Sequence, residues 1–219
     1  MNKATPLTIA VPKGRLQGAV ISLCEEVGMD CSELKDPSRR LIVPVPGTTW
    51  RFLLAKPADV PTYVEYGAAD LGVVGKDILL ESRKDVAELL DLGFGKCRLI
   101  VAVPESSGIQ DIQELDFNSR VATKFPRITT EFFNRQGIQA EVVELNGSVE
   151  LGPIVGLADA IVDITETGTT LEENGLIPIT DIARVSTRLI ANQVSYKVKY
   201  DVIHSLVEQF RVVLAGKRS

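Results

Sequence analysis

From residue 160 to 171 the chain reads Ala-Ile-Val-Asp-Ile-Thr-Glu-Thr-Gly-Thr-Thr-Leu. Ile161 and Val162 have the character of a buried strand, which would deliver Asp163 to its carboxyl end. Threonine hydroxyls then surround a single glycine, and Leu171 begins a helix. An apolar strand, a Thr/Gly turn and a helix start, in that order, describe a βα unit. Strand-like and helix-like segments alternate along the whole chain, so the expected fold is α/β with largely parallel sheets.

Strand character is read at 7–11, 41–45, 50–55, 70–74, 99–103, 121–122, 141–145 and 160–164, with extended chain at 176–179 and 186–192. Helical character is read at 16–27, 59–66, 128–136 and 149–155. A last helix is expected over about 197–214, where Val202, Leu206, Phe210 and Val213 form an apolar stripe. A chain of 219 residues suits one large domain or two small lobes. The expected division is a first lobe over 1–94 plus 183–219 and a second over 95–182, with the first boundary at the glycines of 93–95. A cleft between two lobes is a usual place for a small ligand. No internal repeat and no low-complexity segment is visible.

Composition removes several classes. A net charge of −5 argues against binding a nucleic-acid backbone. No apolar run approaches the length of a membrane span, and the N-terminus leads into strand 7–11 without the apolar core of a signal peptide. Cys24, Cys31 and Cys97 are odd in number and lack Cys-x-x-Cys spacing, which favours a reduced, cytoplasmic setting. His204 is the only histidine and is read as a surface residue of the last helix. With no second histidine, Ser-His-Asp and Cys-His catalysis are excluded and zinc ligation is disfavoured. There is no Walker-type loop.

What remains points to phosphate. In the turn after strand 160–164, free backbone N–H groups and the helix dipole both favour an anion, and Gly168 lets the backbone come close to it. Thr167, Gly168, Thr169 and Thr170 are therefore candidate phosphate ligands, with Glu166 a second acid in the loop. Asp163 is a candidate acceptor for sugar hydroxyls. Lys13 and Arg15 lie in the first βα turn, which faces the ligand crevice of an α/β sheet. Lys56 closes strand 50–55, and Arg39 and Arg40 precede strand 41–45; alternation sends one of those arginines inward without saying which. The small-residue stretch 66–77 contains Asp70, a candidate substrate ligand, and Gly72 and Gly75, which would let a ligand or another backbone approach. Ser148 is a candidate cap or phosphate ligand in the turn after strand 141–145.

The run Glu150-(five residues)-Gly156-Leu157-Ala158-(two)-Ile161-Val162-Asp163-Ile164-(two)-Thr167-Gly168-Thr169-Thr170-Leu171 resembles the signature of the ATP phosphoribosyltransferase family. Pro12-Lys13-Gly14-Arg15, Ala122-Thr123-Lys124-Phe125-Pro126 and the stretches 59–65, 67–77, 147–159 and 186–196 are similar to the same family. The resemblance covers nearly the whole chain. It implies two α/β lobes like a type II periplasmic binding protein, and transfer of phosphoribosyl from 5-phosphoribosyl 1-diphosphate (PRPP) to N1 of ATP with Mg²⁺ present. The chain length resembles the family's short form, which implies a homodimer within a hetero-oligomer and a separate regulatory subunit similar to histidyl-tRNA synthetase. The implied roles give Arg15 and Arg39 to the departing pyrophosphate as catalytic cations, and Lys13 and Lys56 to substrate phosphates. No protein metal ligand and no general base is named. Two alternatives stay open: a salvage phosphoribosyltransferase, disfavoured because Val162 rather than a second acid precedes Asp163, and a solute-binding module of the same implied fold.

Overall fold

The computed structural model describes residues 5–217. In chain order it begins with β1 (Thr8–Pro12), α1 (Gln17–Glu26), α2 (Ser32–Lys35), β2 (Ile42–Pro44), β3 (Arg51–Ala55), α3 (Val60–Glu65), β4 (Leu71–Gly75), α4 (Lys76–Ser82) and β5 (Ala87–Asp91). Then come β6 (Cys97–Pro104), β7 (Arg120–Thr123), α5 (Pro126–Arg135), β8 (Glu141–Glu144), α6 (Leu151–Ile154), β9 (Ala160–Thr165), α7 (Thr169–Glu173) and β10 (Leu176–Val185). The chain closes with β11 (Thr187–Ala191), α8 (Gln193–Val198) and α9 (Tyr200–Gly216). These elements form two compact units. One runs to Gly95 and resumes at Ser186, and the other is Lys96–Val185. The second unit reaches past the expected limit of 182 because β10 continues to Val185, which pairs with Cys97 on β6.

In the first unit the strand order is β2-β3-β1-β4-β11-β5. β1 is parallel to β3 and β4, whereas β2, β11 and β5 pair antiparallel with their neighbours. The sheet is thus mixed rather than largely parallel. Parallel neighbours require a crossover, which the segments carrying α1 and α3 supply; β11 arrives from the end of the second unit with no such helix and runs the other way. Alternation along β1 turns Ile9 and Val11 to one face, where they pack with α1 and α9, and Ala10 to the other, where it meets Val60 and Val64 of α3. A Cβ on Gly72 would lie 2.7 Å from Val64 and 2.8 Å from Val60. That glycine admits α3 against β4, not a ligand. At Gly75 the corresponding space is filled by the Asp77 carboxylate.

The second unit has the order β10-β6-β9-β7-β8, with β7 parallel to β8 and β9 and with β6 antiparallel to β9 and β10. Leu99, Val101 and Val103 of β6 pack on the side of α5, around Phe133, while Ile100 and Ala102 face Val149 and Leu171. Apart from β2, which has no counterpart, this is the strand order of the first unit: β7 corresponds to β1, β8 to β3, β9 to β4, β6 to β11 and β10 to β5. A duplicated architecture therefore exists where no repeat is visible in the amino acids.

The expected last helix is two. Lys199, at φ −111° and ψ 28°, leaves helical geometry between α8 and α9, and its ammonium reaches the Pro6 carbonyl and Asp70, 2.8 Å from each. His204 is exposed on α9, its ring stacked on that of Tyr200 at 5.2 Å.

Candidate active site

In the second unit the chain after β7 goes to α5 on one face of the sheet, and the chain after β9 goes to α7 on the other. Adjacent parallel strands whose connections part in this way leave a crevice at their carboxyl ends. Asp163 stands there, near the end of β9, with its side chain 14% exposed. The Ile164 amide donates to Asp163 Oδ1 at 2.7 Å, and Lys124 Nζ lies 3.0 Å from the same oxygen. Lys124 is the first residue past β7, whose Thr123 pairs with Val162, so strand register sets the two side chains together. The other oxygen, Oδ2, takes no protein donor among the described residues. Burial pushes the Asp163 carboxyl above its ordinary pKa. Lys124 and the Ile164 amide pull it down in part, and the neighbouring Glu150 charge pushes it up.

The loop that follows is open to solvent and shaped by one residue. Gly168 has φ +90°, a left-handed conformation that side chains resist, and from it the chain turns into α7. The hydroxyls of Thr167 and Thr169 are 3.0 Å apart. Among the described residues the backbone N–H groups of Thr167, Gly168, Thr170 and Leu171 have no protein acceptor, as expected at a helix start. A cavity of about 170 Å³ lies against this loop, lined by Glu150, Asp163 and residues 165–170. The arrangement offers N–H and hydroxyl donors around an anion-sized space with three carboxylates, of Glu150, Asp163 and Glu166, beside it. Asp163, Glu166, Thr167, Gly168, Thr169 and Thr170 thus gather in one place.

Ser148 does not join them. It is exposed at φ +41°, and its carbonyl accepts from the Leu151 amide at 3.0 Å. Its neighbour Glu150 lines the cavity instead. In the sequence Glu150 and Lys124 stand out only as parts of longer motifs. The signal for Lys124 was its place just after a strand parallel to the one carrying Asp163, and that needs the strand order, which local pattern does not supply.

The remaining cations lie in the first unit, at the carboxyl edge of β1 and β3. Pro12 pairs with Ala55, and the Lys13 amide donates to the Ala55 carbonyl at 2.9 Å, so Lys13 and Lys56 stand side by side and exposed. Gly14, at φ +97°, turns the chain and Arg15 follows. β2 runs antiparallel to β3, with the Leu54 amide bonded to the Leu41 carbonyl, so the residues entering β2 reach the same edge. Arg40 pairs with Glu33 at 2.5 Å, whereas Arg39 is exposed and has no partner among the described residues. Arg39 is therefore the arginine available to an anion.

Asp70 is used differently from the expectation. Its side chain is 8% exposed and accepts from the Thr8 amide at 2.8 Å, Ser195 Oγ at 2.6 Å and Lys199 Nζ at 2.8 Å. These bonds join β1, β4 and the C-terminal helices. A carboxylate with three internal donors is part of the framework and not a substrate ligand.

Comparison with known proteins follows the same lines. A sequence model described as HisG, ATP phosphoribosyltransferase, matches residues 56–212. An ATP phosphoribosyltransferase of Sorangium cellulosum is 52% identical over 211 residues, covering 96% of this chain and 97% of the relative. Another, of Desulfitobacterium hafniense, is 48% identical over 215 residues, covering 95% and 96%. The ATP phosphoribosyl transferase (HisG:HisZ) complex of Thermotoga maritima contains a chain with TM-score 0.79 and 33% identity, covering 96% of this chain and 99% of that one. The periplasmic aliphatic sulphonate binding protein SsuA of Escherichia coli aligns with TM-score 0.62 at 15% identity, covering 97% of this chain and 74% of that one. It shares the fold, which is that of a type II periplasmic binding protein. Identity near one half over nearly the full length is decisive: the chain belongs to the ATP phosphoribosyltransferase family.

Proposed function

We propose that the chain transfers the phosphoribosyl group of PRPP to N1 of ATP, with the β9–α7 loop holding the 5-phosphate and Asp163 accepting from the ribose hydroxyls. As a member of this family the chain is a phosphoribosyltransferase of the first step of histidine biosynthesis. The observation that supports the residue roles is the cavity in which unpaired loop amides and threonine hydroxyls stand beside the free oxygen of Asp163. Glu150 supplies the second carboxylate at the sugar. Lys13, Arg15, Arg39 and Lys56 take the pyrophosphate and the phosphates of ATP. The sugar carbon becomes cationic as pyrophosphate departs, and fixed cations around the leaving group stabilise the charge that grows on it. Adenine N1 already carries a lone pair, so alignment outweighs the need for a strong base.

The proposed metal is Mg²⁺. Among the described residues no group of three or more His, Cys, Asp or Glu is placed to hold a metal. A hard cation held by substrate phosphate oxygens and water fits this donor set, where a protein cage does not. We also propose that the chain works with a separate regulatory subunit similar to histidyl-tRNA synthetase, as a homodimer within a hetero-oligomer; the Thermotoga maritima relative was solved in a HisG:HisZ complex. Among the described residues no helix is long and apolar enough to cross a membrane, and all three cysteines are free, which supports the proposed cytoplasmic setting.

The test is a coupled assay with PRPP and either ATP or a panel of free bases, run with and without the regulatory subunit. Phosphoribosyl-ATP as product is the expected result. Product from a free base, or tight binding of sulfonates with no turnover, would replace the reading.

A further inference from the structure

The two units carry a lysine at the same topological position, the first residue past a pair of corresponding strands: Lys13 after β1 and Lys124 after β7. Their surroundings differ in one respect. Counting along the parallel partner from the paired residues, the position beside Lys124 is Asp163 and the position beside Lys13 is Gly75. Beside Lys13 there is thus no side chain on the partner strand, and the Asp77 carboxylate takes up that space, while the ammonium of Lys124 is matched by a strand carboxylate at 3.0 Å.

That pair is not needed to join the strands. β7 and β9 are already tied by backbone pairing from Val121 with Ala160 to Thr123 with Val162. What the pair fixes is the orientation of one side chain. Among the described residues both donors that reach Asp163, the Ile164 amide and the Lys124 ammonium, take Oδ1, so Oδ2 keeps its lone pairs unused in a residue that lines the cavity. Lys124 Nζ also lies over the Phe125 ring, 5.4 Å from its centroid.

We propose that Lys124 is a positioning residue for the transfer: its ammonium holds Oδ1 of Asp163 and thereby presents Oδ2 to the ribose hydroxyls. This rests on the reading of Asp163 as the acceptor for those hydroxyls.

The electrostatics give the inference a signature that packing alone would not. Among the described residues the charged groups nearest Asp163 are Lys124 from the β7–α5 connection, Glu150 from the segment before α6 and Glu166 in its own loop; β6 places the uncharged Ile100 opposite it, and Arg98, two residues along the same face of β6, is paired with Asp181. Lys124 is the cation in contact with Asp163. Without it, burial and Glu150 act unopposed except for the Ile164 amide, and both favour the protonated acid. A protonated Asp163 would offer a hydroxyl donor where the ribose hydroxyls require an acceptor.

The experiment is the pH profile of kcat/KM for PRPP, measured on the full chain in its regulatory complex. It compares wild type with Lys124→Met, Lys124→Gln, Lys124→Arg and Asp163→Asn, with thermal melting as the folding control. Lys124→Met and Lys124→Gln should move the acidic limb upward by about one pH unit or more, the scale of removing an adjacent opposite charge. Their rates should recover toward alkaline pH, and Lys124→Arg should keep the wild-type limb. Asp163→Asn should lose the limb altogether. A Lys124→Met or Lys124→Gln profile with its limb unmoved overturns the proposal, as does a uniform loss at every pH, the mark of a direct phosphate ligand. Wild-type kinetics in Asp163→Asn would instead overturn the reading of Asp163, so the two failures are distinguishable.

Discussion

Lys199 Nζ lies 2.8 Å from Asp70 Oδ1 in a part-buried pair of the first unit, and the same ammonium bonds the Pro6 carbonyl. One ion pair thus fastens the start of α9 to β4 and to the chain entering β1. Asp70→Ala removes the acceptor of the Thr8 amide and the Ser195 hydroxyl and one acceptor of the Lys199 ammonium, so unfolding in urea should show a loss of about 2–3 kcal/mol, below the cost of breaking a fully buried pair because Lys199 is a quarter exposed. A variant of normal stability but lost turnover would return Asp70 to the substrate site.

Asp163→Asn separates binding from stability. Because burial holds the folded carboxyl above its ordinary pKa, the ionised form is unfavourable in the folded state. That penalty is present above the folded pKa and vanishes as pH falls through it. The variant should therefore unfold at pH 7 no more easily than wild type, with the difference shrinking toward acid pH. Its kcat/KM for PRPP should fall roughly 10- to 100-fold, the scale of one charge-assisted hydrogen bond. A marked loss of stability at neutral pH together with an unchanged rate would contradict both halves.

Gly168→Ala puts a Cβ on a residue at φ +90° without steric crowding, since the nearest atom, Glu172 Oε1, is 3.9 Å from it. The cost is conformational, about 1–2 kcal/mol. The expected result is a PRPP dissociation constant raised by roughly tenfold with little change in that for ATP, read by calorimetry.

Arg39 and Arg40 give a paired test. Arg40 is engaged with Glu33 in an exposed ion pair, and Arg40→Ala should leave kinetics and stability within about 1 kcal/mol of wild type. Arg39→Ala should lower kcat by about 100-fold, the scale of removing one fixed donor at developing charge. Equal effects of the two substitutions would show that the cationic edge acts through net charge alone.

The fold was legible where local pattern and tertiary environment agree. β1, β3, β9 and α5 fall within a few residues of their expected places because their apolar periodicity is strong. α4 and β5 have no strong local pattern in the sequence. β5 carries Glu88 and Asp91 in a five-residue strand, and its place depends on pairing with β11, about a hundred residues away. The same limit applies at the site. Asp163 and the threonine loop are contiguous and could be read directly, but Lys124, Glu150 and the true use of Asp70 depend on which strand lies beside which. Ser148 fails for a related reason, since the turn that contains it aims Glu150 at the cavity.

The position of β11 between β4 and β5 has a consequence for biogenesis. On the ribosome, every strand of the second unit emerges before β11, so its sheet can close while the nascent chain is still being extended. β5 has no strand partner in its own sheet until β11 leaves the exit tunnel, some hundred residues after β5 was made. The part of the molecule synthesised first is therefore completed last, and a chain arrested within the second unit would present an unfinished sheet edge to chaperones.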